Sequence, residues 1–246
     1  MSRWTLLSTL FVGSITSLAM ADFTLYASQA DFVSANLAAG SVQLGLEDFS
    51  EAVGPPPDVL NLRSPLEPGV QNPIGGAEGF LDGLAQPGLW LAANPTINPI
   101  ALTLIFPNAF GGDGPFSPEV GATAFDDSTE LHFSSDTRFT GIAFDVSDPA
   151  SLFQSGHGNE TVDITVYDKN DVVMATITGW DAPNNAHQFF GIISSEPIGW
   201  IDVQGQVGTS GYHGGEMLAN IRMWGVPEPT TLSLLILSVP IVLRKR

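Results

Sequence analysis

The feature that most constrains this chain of 246 residues is a series of short segments in which apolar and polar residues alternate. These segments recur between residues 130 and 225, where Val162, Ile164 and Val166, for example, are separated by polar residues. A period of two predicts β-strands with one buried face. The 26 glycines and 18 prolines add frequent turns and disfavour a helical bundle.

The other elements complete an all-β prediction. Ser28 can cap a helix that continues to Ala39, since apolar residues follow at helical spacing. A strand is expected from Ser41 to Phe49, and residues 50–99 predict a long irregular loop region with short strands around Gly79–Leu81 and Gly88–Leu91. Further strands are predicted at 100–106, 131–133, 142–146, 162–167, 172–178, 187–193, 198–203 and 217–224, with a hairpin turn at 168–171. The sequence therefore predicts an antiparallel β-sandwich or jelly roll with one short N-terminal helix.

The first 21 residues have the pattern of a signal peptide. Arg3 precedes an apolar run from Thr5 to Leu18, and Ala19-Met20-Ala21 is typical of a signal peptidase site. We expect cleavage after Ala21 and export of the body; the alternative is a buried N-terminal helix.

The last 21 residues have a second ordered pattern. Pro227-Glu228-Pro229 is followed by an uncharged apolar segment at 230–243 and by the basic residues Arg244, Lys245 and Arg246. The apolar segment is shorter than the ~20 residues that span a bilayer upright. The terminal cations favour the cytoplasmic side, so the body would lie outside.

This C-terminal pattern resembles the PEP-CTERM sorting signal of exported bacterial proteins. The resemblance implies transient membrane insertion and processing by an exosortase-type enzyme; the alternative is a plain tail anchor. Residues 130–225 also resemble the β-sandwich body of many PEP-CTERM proteins, through Phe139–Asp145, Phe189–Ile193 and Pro197–Ile201. The chain then divides into a signal peptide at 1–21, a body at 22–225 and a sorting segment at 226–246.

Charge and cysteine content exclude several classes of function. The net charge of −18 would repel phosphate, so nucleic acid is not an expected partner. The chain has no cysteine, which excludes disulfides, thiolate metal sites and cysteine nucleophiles.

One acidic segment is a candidate calcium site. Asp126, Asp127 and Glu130 place three carboxylates within five residues. Calcium prefers six to eight hard oxygen ligands, and irregular acidic loops supply them. The alternative is a solvated acidic turn, since the spacing is not that of an EF-hand.

Two His-x-x-Glu segments are candidates for a second metal. His157 and Glu160, with His213 and Glu216, could hold a zinc-type ion if loops brought them together. This hypothesis predicts a metal-dependent extracellular hydrolase. Their glycine-rich surroundings favour ordinary loop histidines instead.

Tryptophans are the remaining candidates for ligand binding. If Ile201 and Ile221 face the core, then Trp200 and Trp224 point outward, and Trp180 lies in a loop with polar neighbours. Exposed indole rings stack well on sugar rings. The alternative is that these tryptophans pack against the N-terminal segment or residues 50–99.

From these observations we expect an exported, non-enzymatic surface or extracellular-matrix module, structural or adhesive, and a candidate for binding exopolysaccharide. The alternatives are the metal-dependent hydrolase and a calcium-stapled scaffold without a ligand.

Overall fold

The computed structural model describes residues 22–50, 59–62, 87–94, 102–106, 118–122, 128–134, 136–148, 160–183, 186–206 and 216–227. Among these residues, one helix, α1, spans Gln29–Ala38, and β-strands form most of the others. The first strands are β1 (Phe23–Tyr26), β2 (Val42–Glu47), β3 (Val59–Leu62), β4 (Leu89–Ala93), β5 (Leu102–Ile105), β6 (Glu119–Ala122) and β7 (Thr129–Phe133). The later strands are β8 (Phe139–Ser147), β9 (Glu160–Asp168), β10 (Val173–Ala182), β11 (Gln188–Ser194), β12 (Ile198–Gly205) and β13 (Met217–Gly225).

These strands form two antiparallel sheets. The larger sheet has the order β1-β11-β8-β13-β6-β5-β3, and β2 also pairs with β13. The smaller sheet has the order β10-β9-β12-β7-β4. The predicted all-β sandwich with one short N-terminal helix is therefore confirmed.

The core lies between the two sheets. Ile142, Phe144 and Phe190 of the larger sheet form one buried cluster with Leu131 and Ile201 of the smaller sheet. These residues occupy the apolar positions of the alternating segments, so the period of two specifies which face of each strand is buried.

The predicted turn between β9 and β10 owes its shape to Asp168. One carboxylate oxygen, Oδ1, accepts hydrogen bonds from the backbone N–H groups of Asn170, at 2.7 Å, and Val172, at 2.9 Å. These bonds hold the pKa of Asp168 below its ordinary value, although burial acts in the opposite direction. Asp171 takes the left-handed conformation that closes the turn, with φ 61°.

Helix α1 covers part of the outer face of the larger sheet. Ser28 caps it, as predicted, by accepting from the N–H of Asp31 at 3.4 Å. Phe32 is fully buried against the sheet. The helix approaches so closely that a Cβ on Gly191 would lie 2.8 Å from the Phe32 ring, and one on Gly141 would lie 2.5 Å from Asn36 Oδ1. Glycine at these two positions therefore permits the helix to dock.

Part of the predicted organisation falls outside the described residues. This applies to the signal peptide, to the sorting residues Glu228, Pro229, Arg244, Lys245 and Arg246, and to the short strand expected around Gly79–Leu81. Within 50–99, the described segments are β3 and β4, which include the expected strand around Gly88–Leu91. In the described part of the chain, no helix is long and apolar enough to cross a membrane.

Candidate functional site

Four ring-bearing side chains cross the smaller sheet in one line. Trp90 of β4 pairs with His132 of β7. Trp200 of β12 lies between His132 and Tyr167 of β9. We call these four residues the aromatic row. All four are partly exposed, because their neighbours along each strand face the core.

The rings of the aromatic row are nearly parallel. Tyr167 and Trp200 stack with centroids 3.6 Å apart and an interplanar angle of 2°. His132 lies 5.4 Å from Trp200 at 14°, and Trp90 lies 5.6 Å from His132 at 2°. Each ring therefore restricts the orientation of the next. Trp90 and Tyr167 end the row, so each has one face that is not used in stacking within it.

Two hydrogen bonds further fix the row. The Trp200 Nε1–H donates to Asp171 Oδ1 at 2.9 Å, which ties the indole to the β9–β10 turn. A ring nitrogen of His132, Nε2, lies 2.7 Å from Glu130 Oε2. The row is therefore ordered before any ligand arrives.

A second line of side chains runs beside the aromatic row on the same outer face. Asp202 of β12 lies directly between Glu130 of β7 and Thr165 of β9 in the strand register. Burial raises the pKa of Asp202, and the Glu130 charge adds to this, whereas a hydrogen bond with Ser128 opposes it. Burial also raises the pKa of Tyr167, and the charges of Asp202 and Glu130 act in the same direction.

A third line continues the polar surface. Gln204 of β12 lies opposite Asp163 of β9. Asp163 accepts from the backbone N–H of Gly179 at 3.0 Å and from the side-chain amide of Gln206. The outer face of the smaller sheet thus passes from aromatic rings to carboxylates and then to an amide and a further carboxylate.

The three predicted tryptophans have different environments. Trp200 points outward, as predicted, and belongs to the aromatic row. The expectation that Trp180 lies in a loop was wrong, because it belongs to β10 and packs inward at the edge of the core, with its ring 5.3 Å from Phe190 at 88°. A register shift between Ile177 and Trp180 moves it from the polar to the apolar phase of β10.

Trp224 points away from the core, as the alternation predicted, but the expectation that it is exposed was wrong. Only 5 % of it is accessible, because Phe32 of α1 covers it at a ring distance of 6.2 Å. This matches the alternative in which a tryptophan packs against the N-terminal segment. The indole face of Trp224 is not available to a ligand in this arrangement.

Sequence reasoning did not single out Trp90, His132 or Tyr167. A signal was nevertheless present, because each occupies the outward phase of a strand beside buried residues such as Leu91, Leu131 and Val166. An aromatic residue in the polar phase of an alternating segment is therefore the pattern that could have found them.

The predicted metal sites are only partly within the described residues. Asp126, Asp127, His157 and His213 lie outside them, and of Glu160 only the backbone is described. Glu130 is engaged with His132. Among the described residues, no group of three or more acidic or histidine side chains is arranged to hold a metal ion. The calcium and zinc hypotheses remain predictions.

Glu216 joins the two sheets from a fully buried position. Its Oε1 accepts from the Thr129 hydroxyl at 2.9 Å, and its Oε2 accepts from the Gly205 N–H at 3.1 Å. Thr129 in turn accepts from the Ala122 N–H at 2.8 Å. Burial raises the pKa of Glu216 to about 8, despite these hydrogen bonds.

The larger sheet carries a separate ion pair. His187 Nε2 contacts Glu119 Oε1, and the Ser147 hydroxyl donates to Glu119 Oε2 at 2.6 Å. The hydrogen bond with Glu119 raises the pKa of His187, more than burial lowers it. Arg222 lies 3.5 Å from Asp145 and 5.7 Å from the centre of the Phe189 ring. These two ion pairs connect side chains of the larger sheet with each other.

No protein-family model matches the chain, and a search of curated proteins found no match. Solved structures give partial overlaps. A family 29 carbohydrate-binding module is 18 % identical and covers 51 % of this chain and 77 % of its own, with a TM-score of 0.29. The xylan-binding domain from Paenibacillus barcinonensis is 11 % identical, and the overlap covers 75 % of this chain and 96 % of that domain, with a TM-score of 0.34. An adhesin domain of Lys-gingipain is 10 % identical, and the overlap covers 54 % of this chain and 88 % of that domain, with a TM-score of 0.35.

Proposed function

We propose that this protein is a carbohydrate-binding β-sandwich and that the aromatic row is its binding site. The observation that carries the proposal is the alignment of Trp90, His132, Trp200 and Tyr167 on the outer face of one sheet. Partly exposed aromatic side chains in a continuous line are costly in water unless a ligand or partner uses them.

The chemistry of the row suits sugars. The free faces of Trp90 and Tyr167 and the outward edges of the stacked rings offer apolar surface to the C–H groups of a pyranose, and these rigid side chains lose little entropy on binding. Stacking and the Asp171 bond hold Trp200 in place beforehand, so little of the binding energy is spent on ordering it. Glu130 and Asp202, on the line next to the row, are placed to accept hydrogen bonds from sugar hydroxyls.

The dimensions of the row favour an extended chain. Four strands spaced about 4.8 Å apart give a line of about 14 Å. This is longer than a single sugar ring, so we propose a polysaccharide segment as the ligand. The terminal rings, Trp90 and Tyr167, would contact sugars at the two ends of that segment.

Export, surface location and a non-enzymatic role complete the proposal. Export and surface location rest on the sequence patterns at 1–21 and 226–246, which predict a signal peptide and a PEP-CTERM sorting segment. Signal peptidase and an exosortase-type enzyme would be the processing partners. Detection of the mature N-terminus at Asp22 by mass spectrometry of exported protein would test the first step.

Binding to a panel of soluble and insoluble polysaccharides, measured by calorimetry and pull-down, tests the proposal. We expect Trp200→Ala to weaken binding about tenfold or more, since it removes the ring that holds Tyr167 and His132 in line, and aromatic contacts dominate binding energies. Phe23→Ala is the matched control, because Phe23 is 41 % exposed on the other sheet. Absence of binding to every polysaccharide, or equal binding by the Trp200 variant in its folded state, would contradict the proposal.

A further inference from the structure

The aromatic row is bordered by negative charge. Glu130 and Asp202 lie on the adjacent line of the same face, and Asp163 lies on the next. On the opposite side, Asp171 accepts the Trp200 N–H. A ligand lying along the row would therefore meet carboxylates on both flanks.

Among the described residues, two basic groups near this face, Lys169 and His132, are already engaged in contacts. The Lys169 amine, two residues beyond Tyr167 in the chain, donates to the backbone carbonyls of Ser134 and Thr137. Burial lowers the pKa of Lys169, while Asp136 and Arg138 act on it in opposite directions. His132, the ring in the middle of the row, is held by Glu130.

Two of the carboxylates face each other across the sheet, although each has a partner in the fold, His132 for Glu130 and Ser128 for Asp202. Glu130 and Asp202 are directly opposite on adjacent strands, a position in which like charges destabilise a sheet. Oδ1 of Asp202 is buried and has no hydrogen-bond partner within the described residues. A cation bound between the aromatic row and these two residues would relieve their repulsion.

We propose that the ligand is a polysaccharide that carries protonated amino groups, held by the aromatic row together with Glu130 and Asp202. This inference rests on the proposed carbohydrate-binding function and narrows its ligand class. Ammonium groups are attracted both to aromatic faces and to carboxylates. Polysaccharides with carboxylate or sulfate groups would be repelled by the same surface.

The test compares glucosamine oligosaccharides with fully N-acetylated oligosaccharides of the same length and with oligouronates. The protein should bind the glucosamine oligosaccharide at least about threefold more tightly than the acetylated one at low salt, and this preference should shrink at high salt. The oligouronate should bind most weakly.

Two isosteric variants separate charge from stacking. Glu130→Gln and Asp202→Asn should reduce the preference for the glucosamine oligosaccharide while leaving the acetylated oligosaccharide bound. Asp31→Asn is the matched control, because Asp31 lies on α1, on the far side of the larger sheet. Thermal melting of each variant checks that it is folded.

The outcomes distinguish the two proposals. Binding of neutral or anionic sugars as tightly as the glucosamine oligosaccharide overturns the amino-sugar assignment but leaves carbohydrate binding intact. Binding of no sugar at all overturns both. Loss of binding after chelation of divalent cations also overturns the assignment, since the two carboxylates would then serve a metal ion.

Discussion

Glutamine at position 216 should change how the stability of this protein depends on pH. Glu216 is fully buried between the sheets, and burial raises its pKa from an ordinary 4.5 to about 8. Below pH 4.5 the carboxyl is protonated in both the folded and unfolded states. Between pH 4.5 and 8 the unfolded state ionises first, so the free energy of unfolding decreases as the pH rises. Above pH 8 the carboxyl is ionised in both the folded and the unfolded state, so the free energy of unfolding does not decrease further on account of Glu216.

The size of this effect follows from the interval between the two pKa values. At 1.36 kcal/mol per pH unit, the decrease from pH 4.5 to 8 amounts to about 5 kcal/mol. Glutamine does not ionise, so the variant escapes this loss. Its NH₂ group, however, must face one of the two donors, Thr129 or Gly205, which costs about 1–3 kcal/mol. Glu216→Gln should therefore be less stable than the wild type near pH 5 and more stable near pH 9.

Urea denaturation of both proteins at pH 5, 7 and 9 measures this crossover. His187 also has a raised pKa, so its pairing with Glu119 stabilises the protein less as the pH rises. Both proteins share this effect, and the informative quantity is therefore the difference in the free energy of unfolding between wild type and Glu216→Gln. Glu196→Gln is the matched control, because Glu196 is exposed in the turn after β11 and is not a partner of the buried donors around Glu216. Parallel pH profiles for wild type and Glu216→Gln would refute the reasoning, since Glu216 would then not titrate over this range.

Two further predictions concern the larger sheet. Phe32→Ala should lower the free energy of unfolding by about 3–5 kcal/mol, because Phe32 is fully buried. It should also expose Trp224, which fluorescence quenching would detect. An unchanged melting curve would show that α1 is not anchored by this ring. His187→Gln should flatten the loss of stability above pH 6.5, because the pairing with Glu119 stabilises the protein below the unfolded pKa and is lost as the pH rises through the raised folded pKa. Thermal melts across pH 6–9 measure it, and an unaltered slope would count against the ion pair.

The alternation of residues determined the strands and the direction of their side chains. Ile201 faces the core and Trp200 faces outward, as the period of two predicts. The capped helix and the acidic turn at 168–171 were also accessible from local sequence, because capping and turn formation involve residues only two to four positions apart. Trp180 was expected in a loop, but β10 continues through it to Ala182, and a bulge between Ile177 and Trp180 turns its side chain toward the core.

The aromatic row itself was decided by tertiary structure. Trp90, His132, Tyr167 and Trp200 come from four separate parts of the chain, and only the strand order and register place them in one line. Trp224 shows the complementary limit: the alternation correctly points it outward, but only the docking of α1 determines that it is covered. Local periodicity specifies the side of a sheet on which a residue lies, whereas what lies beside or above that residue depends on contacts between distant segments.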